Sequence, residues 1–313
     1  MTAKRREFWT AMAFVSPWII GFLIFMVYPL SASIYYSFCD YSVLRSPIWI
    51  GFQNYTDLVR DNLFWTSLEN TFIFAMLALP LGTFVCLSLA MLLNMKVRFM
   101  SVYRTIFFLP SLVPTVAMAV LWLWILNGDL GVLNQALRPI LSVVSIVLTH
   151  LLGPILGPIR LKPPNWLSDP GWTKPALVLL SVWSGGNTMV IYLAGLQDVP
   201  RQLYEAADLD GAGWWARTLH VTLPMLSPVI LFNVIMGIIG SLQVFTLPYI
   251  MFGSGGAPAN STYFYVMYLF DNAFIYHKMG LACAMGWIMF VIIMVLTLAS
   301  LRASRRHVHY SGG

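Results

Sequence analysis

The residues best placed to do chemistry lie outside the apolar runs, between Gln197 and Pro228. Arg201 to Asp210 reads Arg-Gln-Leu-Tyr-Glu-Ala-Ala-Asp-Leu-Asp, a short helix, with Asp198 able to cap it and Pro200 suited to its first turn. Gly211-Ala212-Gly213 stops that helix. A second short helical stretch, Trp214 to His220, leads to Leu223-Pro224. Ala206, Ala207 and Gly211 let a partner come close, while Glu205 and Asp208 offer it charges. A simple linking loop needs neither small residues nor defined stops, so the pattern reads as a docking helix.

Motifs for bond-making chemistry are missing. The chain has no Gly-Lys dipeptide and so no P-loop, no HExxH and no paired-Cys metal spacing. Cys39, Cys86 and Cys283 sit in or beside apolar runs, where a thiol is a small packing group. His307 and His309 fall in a basic tail and read as solvated. The sequence therefore implies neither an enzyme nor a bound metal or cofactor.

Neutral polar groups are the other candidates. Asn187, Thr188, Tyr192, Asn233, Ser241, Gln243, Thr246, Tyr249 and Thr297 lie inside apolar runs, where any one of them can simply bond a neighbouring helix. As a group they concentrate around Ser184 to Asn187 and Gly240 to Tyr249, with Gly185-Gly186, Gly237 and Gly240 permitting close approach or local unwinding. An uncharged polyol needs such donors and acceptors plus an aromatic face. Asn187, Ser241 and Gln243 supply the first, and Phe245 or Tyr249 the second. On a continuous helix Ser241 and Phe245 share a face, one turn apart, and Gln243 points elsewhere. Trp122, Trp124, Tyr265 and Tyr268 are further stacking candidates, while Trp166, Trp172, Tyr263 and Tyr265 also fit an interfacial belt.

The elements that must position these groups follow from composition. Of 313 residues, 59% are hydrophobic and only 10% charged, against roughly 25% charged in soluble domains. The mean hydropathy is +0.76. That excludes disorder and a water-soluble globule, and points to an all-α polytopic membrane bundle. About 20 apolar residues cross the hydrocarbon as a helix. Uncharged runs place six spans at 11–38, 70–94, 105–127, 175–197, 228–252 and 279–301, the fifth followed by a loop at Gly253 to Pro258. The first run is too long for a cleaved signal peptide. Its centre, like those of the other spans, lacks the ionisable relays of proton- or ion-coupled carriers.

The net charge of +6 carries topology rather than nucleic-acid binding. Lys4, Arg5, Arg6, Lys96, Arg98, Arg104, Arg201, Arg217, Arg302, Arg305 and Arg306 fall on one side, which the positive-inside rule makes cytoplasmic. Both termini lie there: a tail at 1–10, a transmembrane domain at 11–301 and a tail at 302–313. The segment 128–174 is then external and 198–227 cytoplasmic. One uncharged stretch, Ile140 to Ile159, is long enough to cross, but a crossing there would turn the last arginines outward. With its Gly153-Pro154 and Gly157-Pro158 steps it reads as an external or re-entrant helix.

Glu205 to Ala212, followed by Leu223-Pro224, resembles the EAA motif of permease subunits of binding-protein-dependent ABC importers, and more narrowly of the sugar importers of the maltose and glycerol-3-phosphate type. Ser16-Pro17, Tyr28-Pro29, Asn54-Tyr55, Phe64-Trp65, Asn70-Thr71, Tyr103-Arg104, Pro110, Pro114, Pro164-Asn165-Trp166-Leu167, Leu203-Tyr204 and Gln243-Val244-Phe245 fit the same pattern. The 140–159 stretch is an insertion relative to it, and Gly253 to Pro258 is slightly longer. The resemblance implies a six-helix core in a bacterial or archaeal cytoplasmic (inner) membrane. It also implies a second homologous permease, a dimeric ATPase that binds the ATP, an external or periplasmic solute-binding protein, and no nucleic acid. It implies that Glu205, Ala206, Ala207, Asp208 and Gly211 couple to the ATPase, Glu205 meeting a basic residue there. Ser184, Asn187, Gly240, Ser241, Gln243, Phe245 and Tyr249 match positions lining the solute route, with a neutral sugar favoured. A stand-alone channel and a membrane enzyme or scaffold are the competing readings.

Overall fold

Backbone amides have no water to bond in hydrocarbon, so apolar runs of this length must satisfy them within helices. The computed structural model, which describes residues 3–95, 97–156 and 161–304, is helical almost throughout. Lys96, Gly157-Pro158, Arg160, Arg305, Arg306, His307 and His309 lie outside the described residues.

Five helical runs are long and apolar enough to cross a membrane: Glu7–Ser37, Asn62–Leu93, Val132–His150, Trp214–Phe252 and Met279–Ser304. Two bent pairs meet the same test, Met100–Leu112 with Thr115–Ile125 at 98° and Pro170–Trp183 with Gly186–Gln197 at 47°. Among the described residues the only strands are β1 (Cys39–Asp40) and β2 (Ile48–Trp49), an antiparallel pair with Cys39 opposite Trp49.

The chain divides into two compact units, one running to Phe64 and rejoined by Leu269–Ile292, the other from Trp65 to Tyr268 with the chain from Ile293 onward. In the first unit, α1 (Ala3–Phe22) continues through a π turn (Leu23–Val27) into α2 (Tyr28–Ser37), with Pro29 in the first turn of α2. Proline has no N–H for the preceding turn, and a wider turn accommodates the loss. The hairpin and α3 (Gln53–Arg60) close over the end of α2. Asn54 donates from Nδ2 to the Ser37 and Cys39 carbonyls at 2.9 Å each, and the Tyr55 hydroxyl donates to Ser37 Oγ. Phe38 stacks on Trp49 and packs edge-on against Phe52. Gly280, at the start of α15 (Met279–Ser304), lies so close to the Cys39 carbonyl that no side chain fits there.

The second unit holds most of α4 (Asn62–Leu93), then α5 (Met100–Phe108), α6 (Thr115–Ile125), α7 (Val132–Leu156), α8 (Pro170–Trp183) and α9 (Gly186–Gln197). After these come α10 (Arg201–Leu209), α11 (Trp214–Arg217), α12 (Leu223–Leu242) and α13 (Thr246–Phe252). A short α14 (Tyr265–Phe270) follows. Arg104 donates from Nε and an Nη to the Leu93 carbonyl, where a cation also complements the α4 dipole. Asn70 donates to the Asn260 and Tyr263 carbonyls, and Thr71 accepts from the Tyr265 amide at 2.9 Å. Trp166 donates from Nε1 to Asn134 Oδ1, whose Nδ2 bonds the Gly128 and Pro164 carbonyls. Asp169 caps α8 by accepting from the Gly171 amide.

Three expected spans are not single straight helices. The run expected at 105–127 bends by 98° around a 3-10 turn (Leu109–Leu112) and Pro114, which caps α6 with extended ψ. The run expected at 175–197 breaks at Ser184–Gly185, and that at 228–252 breaks at 243–245. Of the uncharged stretch expected as a helix near 140–159, residues 140–156 belong to α7, which starts earlier at Val132 and carries Gly153-Pro154 inside it; residues 157–159 lie outside the described residues.

Candidate functional site

The docking segment forms a helical hairpin. Its helix α10 starts one residue after Pro200, which is itself the cap, with extended backbone and no side-chain cap bond. Asp198, expected as the cap, instead ends α9. Gly211 adopts φ +72°, and the amides of Gly211 and Ala212 bond the Asp208 and Ala207 carbonyls at 3.1 and 2.9 Å. Those are the two bonds of a Schellman stop, which needs a left-handed residue at this position. Glycine serves backbone conformation here, for a Cβ would meet nothing within 4 Å.

The expected second helical stretch, Trp214 to His220 leading to Leu223-Pro224, is helical but does not end there. There α11 passes through a π turn (Thr218–Thr222) directly into α12, and the wider turn accommodates the missing N–H of Pro224 just after it. The two arms of the hairpin touch through side chains. Asp208 Oδ1 accepts from Arg217 Nη1 at 2.6 Å, and the Tyr204 hydroxyl lies 3.1 Å from Thr222 Oγ1. Tyr204 and Ala207 face inward, whereas Glu205, Ala206 and Asp208 are exposed. Leu209 is 90% exposed and Trp215 71%. Neither was singled out from sequence; an apolar residue on the polar arc of a short helix was the available signal. Beneath the hairpin lies a cavity of about 430 Å³ bordered by Ser88, Met91, Tyr204, Trp214 and Arg217.

A second cavity, of about 350 Å³, opens inside the second unit between α4, the α8–α9 break and α12. Gly240 and Ser241 border it, as does Gly185 beside Ser184. Asn187 is exposed and does not line it; Thr188, one residue on, does, together with Asn233 and Thr83. Thr83 and the sulfur of Cys86 lie on α4, whose polar side chains were not among the expected route residues. Their signal was a Gly-Thr pair and a thiol at one-turn spacing inside an apolar run. Cys86 Sγ contacts the Gly185 carbonyl at 3.4 Å, which fastens the α8–α9 break to α4. Gly186 approaches Ser111 Oγ and the Phe108 carbonyl so closely that a Cβ would lie 2.9 and 3.2 Å from them.

Ser241 and Phe245 do not share a helical face. Helix α12 ends at Leu242, Gln243 follows it as an exposed turn residue, and Phe245 has φ −143° and ψ −63°. Phe245 and Tyr249 stack on each other at 5.0 Å, forming one aromatic plate at the break. Of the other aromatic candidates, Trp122, Tyr265 and Tyr268 are buried in packing, and Trp124 is exposed. Trp122 meets Trp183 edge-on in a core with Met118, Leu126, Ala176 and Leu180. Tyr263 is buried too, so it does not form an interfacial belt. No cluster of His, Cys, Asp or Glu able to hold a metal occurs among the described residues.

Comparison with known proteins bears on both regions. The family described as binding-protein-dependent transport system inner membrane component matches residues 78–309. The probable ABC transporter permease protein YesP of Bacillus subtilis (strain 168) is 38% identical over 308 residues, covering 98% of this chain and 94% of that one. The lactose transport system permease protein LacF of Rhizobium radiobacter is 34% identical, covering 93% of each. The sulfoquinovosyl glycerol transport system permease protein SmoG of Agrobacterium fabrum is 32% identical, covering 94% of this chain and 90% of that one. In fold, the chain matches a chain of the crystal structure of a bacterial alginate ABC transporter with a TM-score of 0.77 at 24% identity, covering 96% of both.

Proposed function

The chain belongs to the family of binding-protein-dependent transport system inner membrane components, and from that premise we propose that the solute it passes is an uncharged sugar or oligosaccharide. As a permease subunit of an ABC importer it is a multi-pass inner-membrane protein and not an enzyme. The observation that carries the sugar reading is the lining of the 350 Å³ cavity. Thr83, Ser181, Thr188, Asn233 and Ser241 give it hydroxyls and an amide, and no Asp, Glu, Lys, Arg or His borders it among the described residues. A polyol can donate to the free lone pairs of those groups, whereas a phosphate would lack a cation there; each unpaired buried polar group costs about 1–3 kcal/mol. The names of relatives that serve lactose and arabinooligosaccharides agree with that class, whereas another relative is named for sulfoquinovosyl glycerol and a fold neighbour for the acidic polysaccharide alginate.

In this reading the chain forms half of the route, a homologous second permease forms the other half, and a dimeric ATPase and an exported binding protein complete the importer. The α10 hairpin is the ATPase contact. Glu205 is exposed on α10 and has no ion pair among the described residues, and Ala206 and Leu209 flank it with small and apolar surface. That face suits a cleft with one cation and an apolar floor. The Phe245–Tyr249 plate follows the break after α12 and is not part of that cavity's lining.

The test is a sugar panel on the reconstituted importer with its binding protein. Neutral mono- and oligosaccharides should stimulate ATP hydrolysis and enter the vesicles. Stimulation confined to phosphorylated sugars would overturn the neutral-route reading.

A further inference from the structure

Two polar contacts fasten α10 to the foot of α12, and their spacing differs on the two arms. On α10 they come from Tyr204 and Asp208, four residues apart and therefore on one face. On the facing arm they come from Thr222 and Arg217, which are five apart. At 3.6 residues per turn, α-helical residues five apart point about 140° away from each other. The chain instead takes a π turn over Thr218–Thr222, in which the Leu223 amide bonds the Thr218 carbonyl. The Thr222 hydroxyl also returns to the Arg217 carbonyl at 3.4 Å. Bonding from i to i+5 widens the turn, so that residues five apart come onto neighbouring faces instead of pointing apart.

We propose that this π turn is a registering device. It aligns Arg217 and Thr222 so that Asp208 and Tyr204 pin α10 at two points, and α10 moves as one body with the foot of α12. A displacement imposed on α10 then reaches the helix break at 243–245 without being absorbed by the intervening loop. Asp208 and Tyr204 are positioning residues: Asp208 faces Arg217, and Glu205 is left as the carboxylate that meets the ATPase. An exposed ion pair adds little stability, so the role of Asp208–Arg217 is geometric. The proposal rests on the reading of α10 as the ATPase contact.

The experiment uses the whole importer in proteoliposomes, with Cys39, Cys86 and Cys283 replaced by Ala, and reads solute imported per ATP hydrolysed. In this background Tyr204→Cys with Thr222→Cys removes one pin, and a short reducible bis-thiosulfonate restores it covalently. The unbridged pair should fall about threefold or more below the parent, bridging should recover most of the loss, and reductant should abolish the recovery. Separately, Asp208→Arg and Arg217→Asp should each lower the ratio with the ATPase still bound, and the charge-swapped double variant should regain it. A parent-like ratio in the unbridged pair, a bridge that stops transport, or a swap no better than its singles overturns the two-point fastening. Glu205→Lys in the same background isolates the underlying reading. If that variant keeps a bound, coupled ATPase, α10 is not the ATPase contact at all. If it loses coupling while the pins prove dispensable, only the registering role fails.

Discussion

At the scale of single residues, chemistry and backbone geometry separate cleanly. In the proposed ATPase contact Glu205 acts through its charge and exposure, so Glu205→Lys should release the ATPase or uncouple hydrolysis from uptake, read as ATPase recovered with the purified permease. Gly211 matters through φ +72°, since open space surrounds it. A β-branched residue there pays a left-handed penalty of about 1–2 kcal/mol, which asparagine partly avoids. Gly211→Val should therefore depress the transport-to-hydrolysis ratio more than Gly211→Asn, a ranking that a purely steric role would not produce. The sequence placed Gly211 at the end of α10 correctly, because a glycine after a polar helix has few other uses. It could not show that Asp208 reaches Arg217, since the eight intervening residues fold back only in three dimensions.

At the scale of elements, two helix breaks border the cavity proposed as the route. The α8–α9 break was foreshadowed by Gly185-Gly186, and its role is visible only in the contact of Gly185 with Cys86 on α4. A side chain at 185 would press on the Cys86 sulfur and the nearby Val182 carbonyl. Gly185→Ala should lower thermal stability by about 1–3 kcal/mol of overpacking, and adding Cys86→Ala should return part of it, measured as melting temperature in detergent. The break at 243–245 had no glycine or proline at its centre and read as continuous helix. Pro248 nevertheless supplies a local cause, since its ring would clash with the carbonyl four residues back at Val244, and with the break went the shared face of Ser241 and Phe245. Ser241→Leu fills a cavity edge and should reduce uptake with nucleotide binding and assembly intact. Asn187→Leu, at an exposed position, should reduce it less. Equal uptake defects in the two variants would show that cavity lining does not mark the route.

At the scale of the whole molecule, the sidedness of the chain depends on α7. Its residues Leu133, Leu137, Leu141 and Ser145 turn inward at helical spacing, while Val143, Ile146 and Val147 stay exposed. Such a helix can lie along a surface or cross the bilayer. With α7 on the outer surface, six crossings leave both termini cytoplasmic and satisfy the arginine bias. A cysteine at Ser168 should then be labelled from outside by a membrane-impermeant reagent, and one at Ser304 should not. Labelling of Ser304 alone would mean that α7 crosses and that the charge rule was outweighed.

Hydropathy, charge placement and the Glu205–Ala212 segment were enough, in the sequence alone, to determine a helical membrane permease that must borrow its ATPase. These features are local: a run of apolar residues excludes water wherever it sits, and a helix stop needs its glycine in any surroundings. Tertiary structure alone decided which polar groups meet. It brought Thr83 and Cys86 of α4 beside Ser241 and Gly185, paired Asp208 with Arg217, and put Tyr265, read as interfacial belt, and Trp122, a stacking candidate, into the core. In an apolar helix every face looks alike to the sequence, because lipid and protein interior favour the same side chains. Only packing tells the wall of a cavity from a surface that meets lipid.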